Sequence, residues 1–362
     1  MLTRRRMVAL GGMGAAAWLA RARSAGAYPA DDEGVRLPRE PEPEPDPPPP
    51  PPRWLLTDEL MPAEESWRND LLPVAVSLDN FPFGSRPQMG MDKADLVYEL
   101  LVEGGITRFL AVFHSRECEW IEPVRSARTP MLYVARELGA LVGHIGAAST
   151  SGPADADSQF GWWGIHHFDG DVSKAPFWRD RRRVAPHNAV TSTLELRGHG
   201  MGLGWFGPSD LSPWFFKDDG GDEAEPHEAA VSLGYGFALV FGAQGTMNAS
   251  WAWDAESSLY FRRMAGVPHT DGITGEQLTA KNVVVQVAPG WVGSREGHIL
   301  YDLIGEGRAR VFRDGRVFEA VWSKRWREDR TRFWHPSGEE IRLNRGTTWV
   351  ALLPAGSPYW WA

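Results

Sequence analysis

The chain has 362 residues, 43% of them hydrophobic and 23% charged, so it is long enough for two globular domains with separate cores. Its formal charge of −9 becomes −14 once residues 1–27, with five arginines and no acid, are set aside, which argues against a nucleic-acid partner. A single cysteine, Cys118, excludes an internal disulfide.

Residues 1–27 carry Thr3-Arg4-Arg5, a Gly/Ala-rich apolar stretch and small residues before Ala27, and read as an export signal of twin-arginine type. No other segment reaches the roughly 20 apolar residues that a bilayer span requires. Residues 28–53 form an acidic, proline-rich spacer containing PREPEPEPDPPPPPPR, extended at roughly 3 Å per residue.

An N-terminal mixed α/β domain is expected over residues 54–225. There PVAVSLD, LVYELLV and ITRFLAVF are short apolar runs punctuated by Gly and Pro, as buried strands are. TPMLYVARELG predicts a helix, because Met131, Val134, Ala135 and Leu138 recur at helical spacing and Gly139 supplies a stop. LVGHIG reads as another strand, and residues 201–228 as a connecting loop. Over residues 226–362 the runs GFALVF, SLYFRR, NVVVQV, HILYDLIG, RARVFRDGRVFEAVW and TTWVALLP predict a mostly antiparallel β domain, with Asp314-Gly315 as a hairpin turn. The fold class is therefore α+β.

Charges embedded in apolar runs mark the candidate site. Asp79, Arg86, Asp95, Glu99, Glu103, Arg108, Arg125 and Arg128 each abut a segment hydrophobic enough to be buried, and buried charge is costly unless paired or used. In EPVRSAR, Arg125 and Arg128 flank Ser126 and run into the helix starting near Thr129. Either the two guanidinium forks converge with helix amides on one anion, or they pair with Glu99, Glu103 or Asp95 and tie the layers together. FWRDRRRVAPHN places Arg179 ahead of His187 and Asn188 in a single loop, which either faces the same cleft or closes a turn. Glu99, Glu103 and His187 are the candidate proton-transfer groups. His166-His167 lacks a second ligand cluster, so neither metal nor cofactor is expected, and PHTDG, with His269 and Asp271, reads as a polar turn. Some of the 18 tryptophans are candidate platforms for sugars or other ring-bearing ligands.

LDNFPFGSRPQMG, ADLVYELLVEGGITRFLAVF, EPVRSAR and APHNAV resemble the N-terminal signature of the YerB-like family of bacterial envelope proteins. GVPHTDGITGEQLTAKNVVVQV, LIGEGRARVFRDGRVFEAVWSK and GEEIRLNRGTTWVALLP resemble its C-terminal domain. The resemblance runs from about Leu72 onward and brings no established reaction with it. The family is commonly lipid-anchored through a cysteine just after the signal, whereas here the only cysteine is Cys118, so the expectation is an exported protein that is not a lipoprotein. The expected role is binding of an anionic envelope ligand, a wall glycan or lipid-linked phosphate, by Arg108, Arg125, Ser126, Arg128, Arg179, His187 and Asn188. An envelope-polymer hydrolase or transferase and a structural protein–protein module are the alternatives.

Overall fold

Strands form where apolar residues run almost uninterrupted. The computed structural model describes residues 49–220, 228–229, 232–235 and 246–361; the segment read as an export signal, most of the segment read as a spacer and the run GFALVF lie outside the described residues. From the first half of the chain come β1 (Val74–Asp79), β2 (Leu96–Leu101), β3 (Thr107–Phe113), β4 (Leu141–His144) and β5 (His167–Asp169). The second half supplies β6 (Asn282–Ala288), β7 (Gly305–Arg313), β8 (Arg316–Lys324), β9 (Arg332–Trp334) and β10 (Thr348–Pro354). They join in one sheet of order β9-β8-β7-β6-β10-β2-β3-β1-β4-β5, with the short strand Glu228–Ala229 added on β8.

β10 lies between β2 and β6, parallel to both, so strands of the two halves pair at the centre of the sheet. β3 runs antiparallel between β1 and β2, while β4 is parallel to β1 and β5 to β4. The turn between β7 and β8 is made by Asp314 and Gly315 at φ 53° and 68°, the left-handed pair that a tight hairpin needs. From Pro50 onward the described residues belong to one compact unit.

β1, β3 and β6 are buried at every position, which is why they read as continuous apolar runs rather than alternating ones. Successive residues face opposite sides. On one side α1 (Thr129–Leu138) packs Met131, Leu132, Ala135 and Leu138 over Ala75, Tyr98 and Leu110, and α2 (Ala156–Trp162) adds Phe160. On the other side α3 (Thr193–Gly202) brings Leu196, and a six-stranded second sheet brings Trp251, Tyr260 and Met264. The result is the expected mixed α/β first part and β-rich second part. Among the described residues no helix is long and apolar enough to cross a membrane.

Candidate functional site

The strand directions gather the polar residues. β1, β4 and β5 end side by side in the same direction, and the carboxyl ends of parallel strands are where open α/β sheets expose a crevice. EPVRSAR crosses these ends as an extended segment. Asp79 N donates to Pro123 O at 2.9 Å, Arg125 N to Ser77 O at 2.8 Å and Ala127 N to Gly146 O at 3.0 Å. Arg125 and Ser126 are thereby set beside Asp79 and Gly146. Gly146 has φ 67°, and a Cβ there would lie 2.9 Å from Asp171 Oδ2 and 3.6 Å from Ser126 Oγ, so a side chain would strain the backbone and displace the Asp171 carboxylate.

Asp79, only 1% exposed, is the hub. Its Oδ2 accepts from Ser85 Oγ at 2.8 Å and lies 2.6 Å from His187 Nδ1 and 3.4 Å from Arg125 Nε. Burial alone would raise the Asp79 pKa, but Arg108, the Ser85 hydrogen bond, Arg125 and His187 outweigh it and hold the carboxyl below its ordinary value. The ionised carboxylate accepts from His187 Nδ1–H, an assignment made from the hydrogen-bond network, which leaves Nε2 for other partners. Phe81 stacks on the His187 ring at 5.3 Å and fixes its plane. The side chains of His187 and Arg125 are 18% and 26% exposed. Among the described residues, neither His187 Nε2 nor the terminal nitrogens of Arg125 has a hydrogen-bond partner.

The loop that delivers His187 is closed by pairing of Trp178–Arg179 with Ala189–Val190. Arg179 Nη1 donates to Asn188 Oδ1 at 3.2 Å, which links the two residues within this loop. Asn188 Nδ2 donates to Asp180 O, and Arg183 donates to Ser85 O at 3.1 Å, tying this loop to the one that carries Ser85.

The other arginines are closed. Arg128 Nε donates to Glu103 Oε2 at 2.8 Å, and its Nη2 donates to Oε1. Arg108 donates from Nη2 to the same Oε1 at 3.3 Å and from Nη1 to Ser126 O at 2.7 Å. Burial would raise the Glu103 pKa, yet the Arg128 hydrogen bonds and the Arg108 charge bring it down to about 2, while burial brings Arg108 to about 10. Arg108, Arg128 and Glu103 thus form a strut under the cleft.

Glu99 is placed away from the cleft. It accepts from Thr107 Oγ1 at 2.9 Å and from the fully buried Arg262 at 2.7 Å, and that guanidinium lies 4.3 Å from the Trp349 ring centroid. Arg262 Nε donates to His269 Nδ1 at 3.0 Å, and His269 Nε2 lies 2.7 Å from Gln88 Oε1. Burial pushes the His269 pKa well below its ordinary value, so the neutral ring passes one hydrogen bond along the chain. Gln88 Nε2 then donates to Asp79 O at 2.9 Å, so the second half of the chain buttresses the hub.

Arg262, Gln88, Ser85 and Phe81 are missing from the sequence-derived set. For Arg262 a signal exists: in Leu259–Met264 the inward positions are Tyr260, Arg262 and Met264, a period-two apolar face interrupted by one arginine. His144 and His167 contact each other at 2.9 Å, and burial lowers His144 to about 4. His166 instead stacks on Trp205.

Two family models match the chain, "Protein of unknown function (DUF3048) N-terminal domain" over residues 56–204 and its C-terminal domain over residues 237–350. The chain is 28% identical over 283 residues to "Putative lipoprotein YerB" of Bacillus subtilis (strain 168), covering 78% of this chain and 81% of that protein. A crystal structure of YerB from Bacillus subtilis superposes with a TM-score of 0.72 at 25% identity, covering 85% of this chain and 99% of that one. The name of this relative overturns the expectation that the protein is not a lipoprotein. That expectation rested on the position of one cysteine, Cys118, which is buried and so bears on packing rather than on anchoring. With both of its halves matched in order, the chain belongs to the DUF3048 family of proteins of unknown function.

Proposed function

We propose that this protein binds an anionic group of a cell-envelope polymer at the carboxyl ends of β1, β4 and β5. Arg125 supplies the guanidinium fork, His187 and Ser126 stand beside it, and Arg179 with Asn188 forms the rim. One observation carries the reading: Arg108 and Arg128 are taken up by Glu103, while the terminal nitrogens of Arg125 are left unengaged next to a half-open histidine. A guanidinium fork matches phosphate or carboxylate geometry, and partial burial strengthens the pairing. The name of the Bacillus relative, carried over to this chain, supports a ligand of the envelope.

Co-sedimentation with phosphate-bearing wall glycan, and with vesicles containing a polyprenyl phosphate, tests it. Arg125→Ala should lower retention about tenfold or more, the loss expected for a charge-assisted hydrogen-bond pair. Arg128→Ala should lower the melting temperature while the folded fraction still binds. Equal retention of wild type, Arg125→Ala and His187→Ala overturns the reading.

A second reading rests on the 2.6 Å contact between Asp79 and His187. An imidazole held at Nδ1 by a carboxylate presents Nε2 as a base, and Arg125 would stabilise the negative charge that develops on an attacked phosphoryl or acyl group. The same fractions would then release a soluble product with wild type and none with His187→Ala.

A further inference from the structure

Two cavities outside the Asp79 cleft share a wall. The first, of about 180 Å³, has Arg136, Trp205, Phe206, Ser209 and Asp210 in its lining. The second, of about 400 Å³, is lined by Asp210, Ser212, Arg325, Glu328 and Arg332 among others. Asp210 lines both, so the two cavities adjoin at that residue as one polar groove region, the first beside the end of α1 and the second beside the turn after β8.

The polar lining divides into engaged and unengaged groups. Lys324 and Arg330, on the floor of the second cavity, are committed to buried Glu137 at 2.5 Å each, and Arg332 pairs with Glu340 at 2.9 Å. Arg136, Asp210, Arg325 and Glu328 make no side-chain hydrogen bond or ion pair among the described residues. That leaves two donors and two acceptors along one groove. A phosphate or carboxylate would satisfy the arginines and be repelled by Asp210 and Glu328, and a cation would meet the reverse. A neutral ligand dense in hydroxyls satisfies both sets, since each hydroxyl donates and accepts. The last-turn position of Arg136 suits the helix dipole, but that accounts for one residue of the four.

One exposed aromatic ring lines the first cavity, and another neighbours a lining residue of the second. Phe206, 65% exposed, lines the first cavity, and Trp326, 58% exposed, stands beside Arg325 with the guanidinium 5.5 Å from its ring centroid. Flat apolar rings next to paired donors and acceptors suit the C–H faces and hydroxyl edges of pyranose units. We propose that this groove binds a linear, uncharged oligosaccharide, with Asp210 as the shared acceptor and Phe206 and Trp326 as the two ring platforms. The proposal is independent of the anion cleft.

The test titrates the full chain with β-1,4-linked N-acetylglucosamine oligomers, from disaccharide to hexasaccharide, and with malto-oligosaccharides of equal length. Intrinsic tryptophan fluorescence and calorimetry report the binding. Affinity in at least one series should rise about tenfold from disaccharide to tetrasaccharide as the second cavity fills. Asp210→Ala and Trp326→Ala should each weaken tetrasaccharide binding about tenfold, the former through loss of hydrogen bonds to a charged group. Both side chains are at the surface, so the variants should keep the wild-type circular dichroism spectrum and melting temperature. Saturating inorganic phosphate should not displace the sugar, so the groove and the cleft can fail separately. Absence of binding in both series, affinity independent of chain length, or wild-type affinity in both variants overturns the proposal.

Discussion

Glu103 holds two arginines with one carboxylate, and its ionisation is worth stability. Its folded-state pKa, about 2, lies below the ordinary value of 4.5, because Arg128 and Arg108 outweigh the effect of burial. A depressed acid of this kind contributes fully above pH 4.5 and loses its contribution as pH falls toward about 2. Unfolding free energy from urea titrations should therefore drop across that window, and Glu103→Gln should flatten this part of the profile while costing about 3 kcal/mol at neutral pH. An equal slope in the variant would show that Glu103 is not the group responsible. The embedded charges were visible in the sequence as residues that must be paired or used, and Glu103 was among the partners offered for Arg128, but Arg262 as the partner of Glu99 was not. Glu99 and Glu103 lie four apart, yet β2 carries Glu99 to Arg262, 163 residues away, and the turn after β2 carries Glu103 to Arg128. Such pairings follow from tertiary register, which no local spacing encodes.

Elements were legible where both faces are buried or the period is clean. β1, β3, β6, β10 and α1 appear as read, with Gly139 ending α1 at φ 56°. α3 escaped notice because Gly198, Gly200 and Gly202 dilute its helical pattern. Its start was nonetheless signalled: Ser192 accepts from Glu195 N at 3.0 Å, the spacing of a capping box. What seats α3 is an absence in β4, where a Cβ on Gly143 would lie 2.8 Å from Leu196 Cδ1. Gly143→Ala should cost about 1–3 kcal/mol through overpacking, read as a shift in urea midpoint at unchanged slope. Adding Leu196→Ala should give a double variant less destabilised than the sum of the two, since the residues are in contact. Strict additivity would mean that α3 rides elsewhere.

At the scale of the molecule, β10 closes the sheet. It pairs with β2 over Leu96–Leu100 and with β6 over its whole length, and the Arg262–His269–Gln88 chain ties the second half to the Asp79 hub. A chain stopped at residue 220 would expose the edge of β2 and take Arg262 away from Glu99. It should show no cooperative unfolding transition by circular dichroism, and a cooperative one would mean that the first half is self-sufficient. The same insertion sets a clock on synthesis. β2 begins at Leu96 and its partner β10 at Thr348, so at roughly 5–20 residues per second the ribosome delivers the partner on the order of tens of seconds after β2 emerges. Throughout that interval the nascent chain carries an apolar strand with an open edge, a template for pairing with neighbouring chains. How long that edge stays open is therefore set by the position of β10 in the chain rather than by the stability of the finished fold.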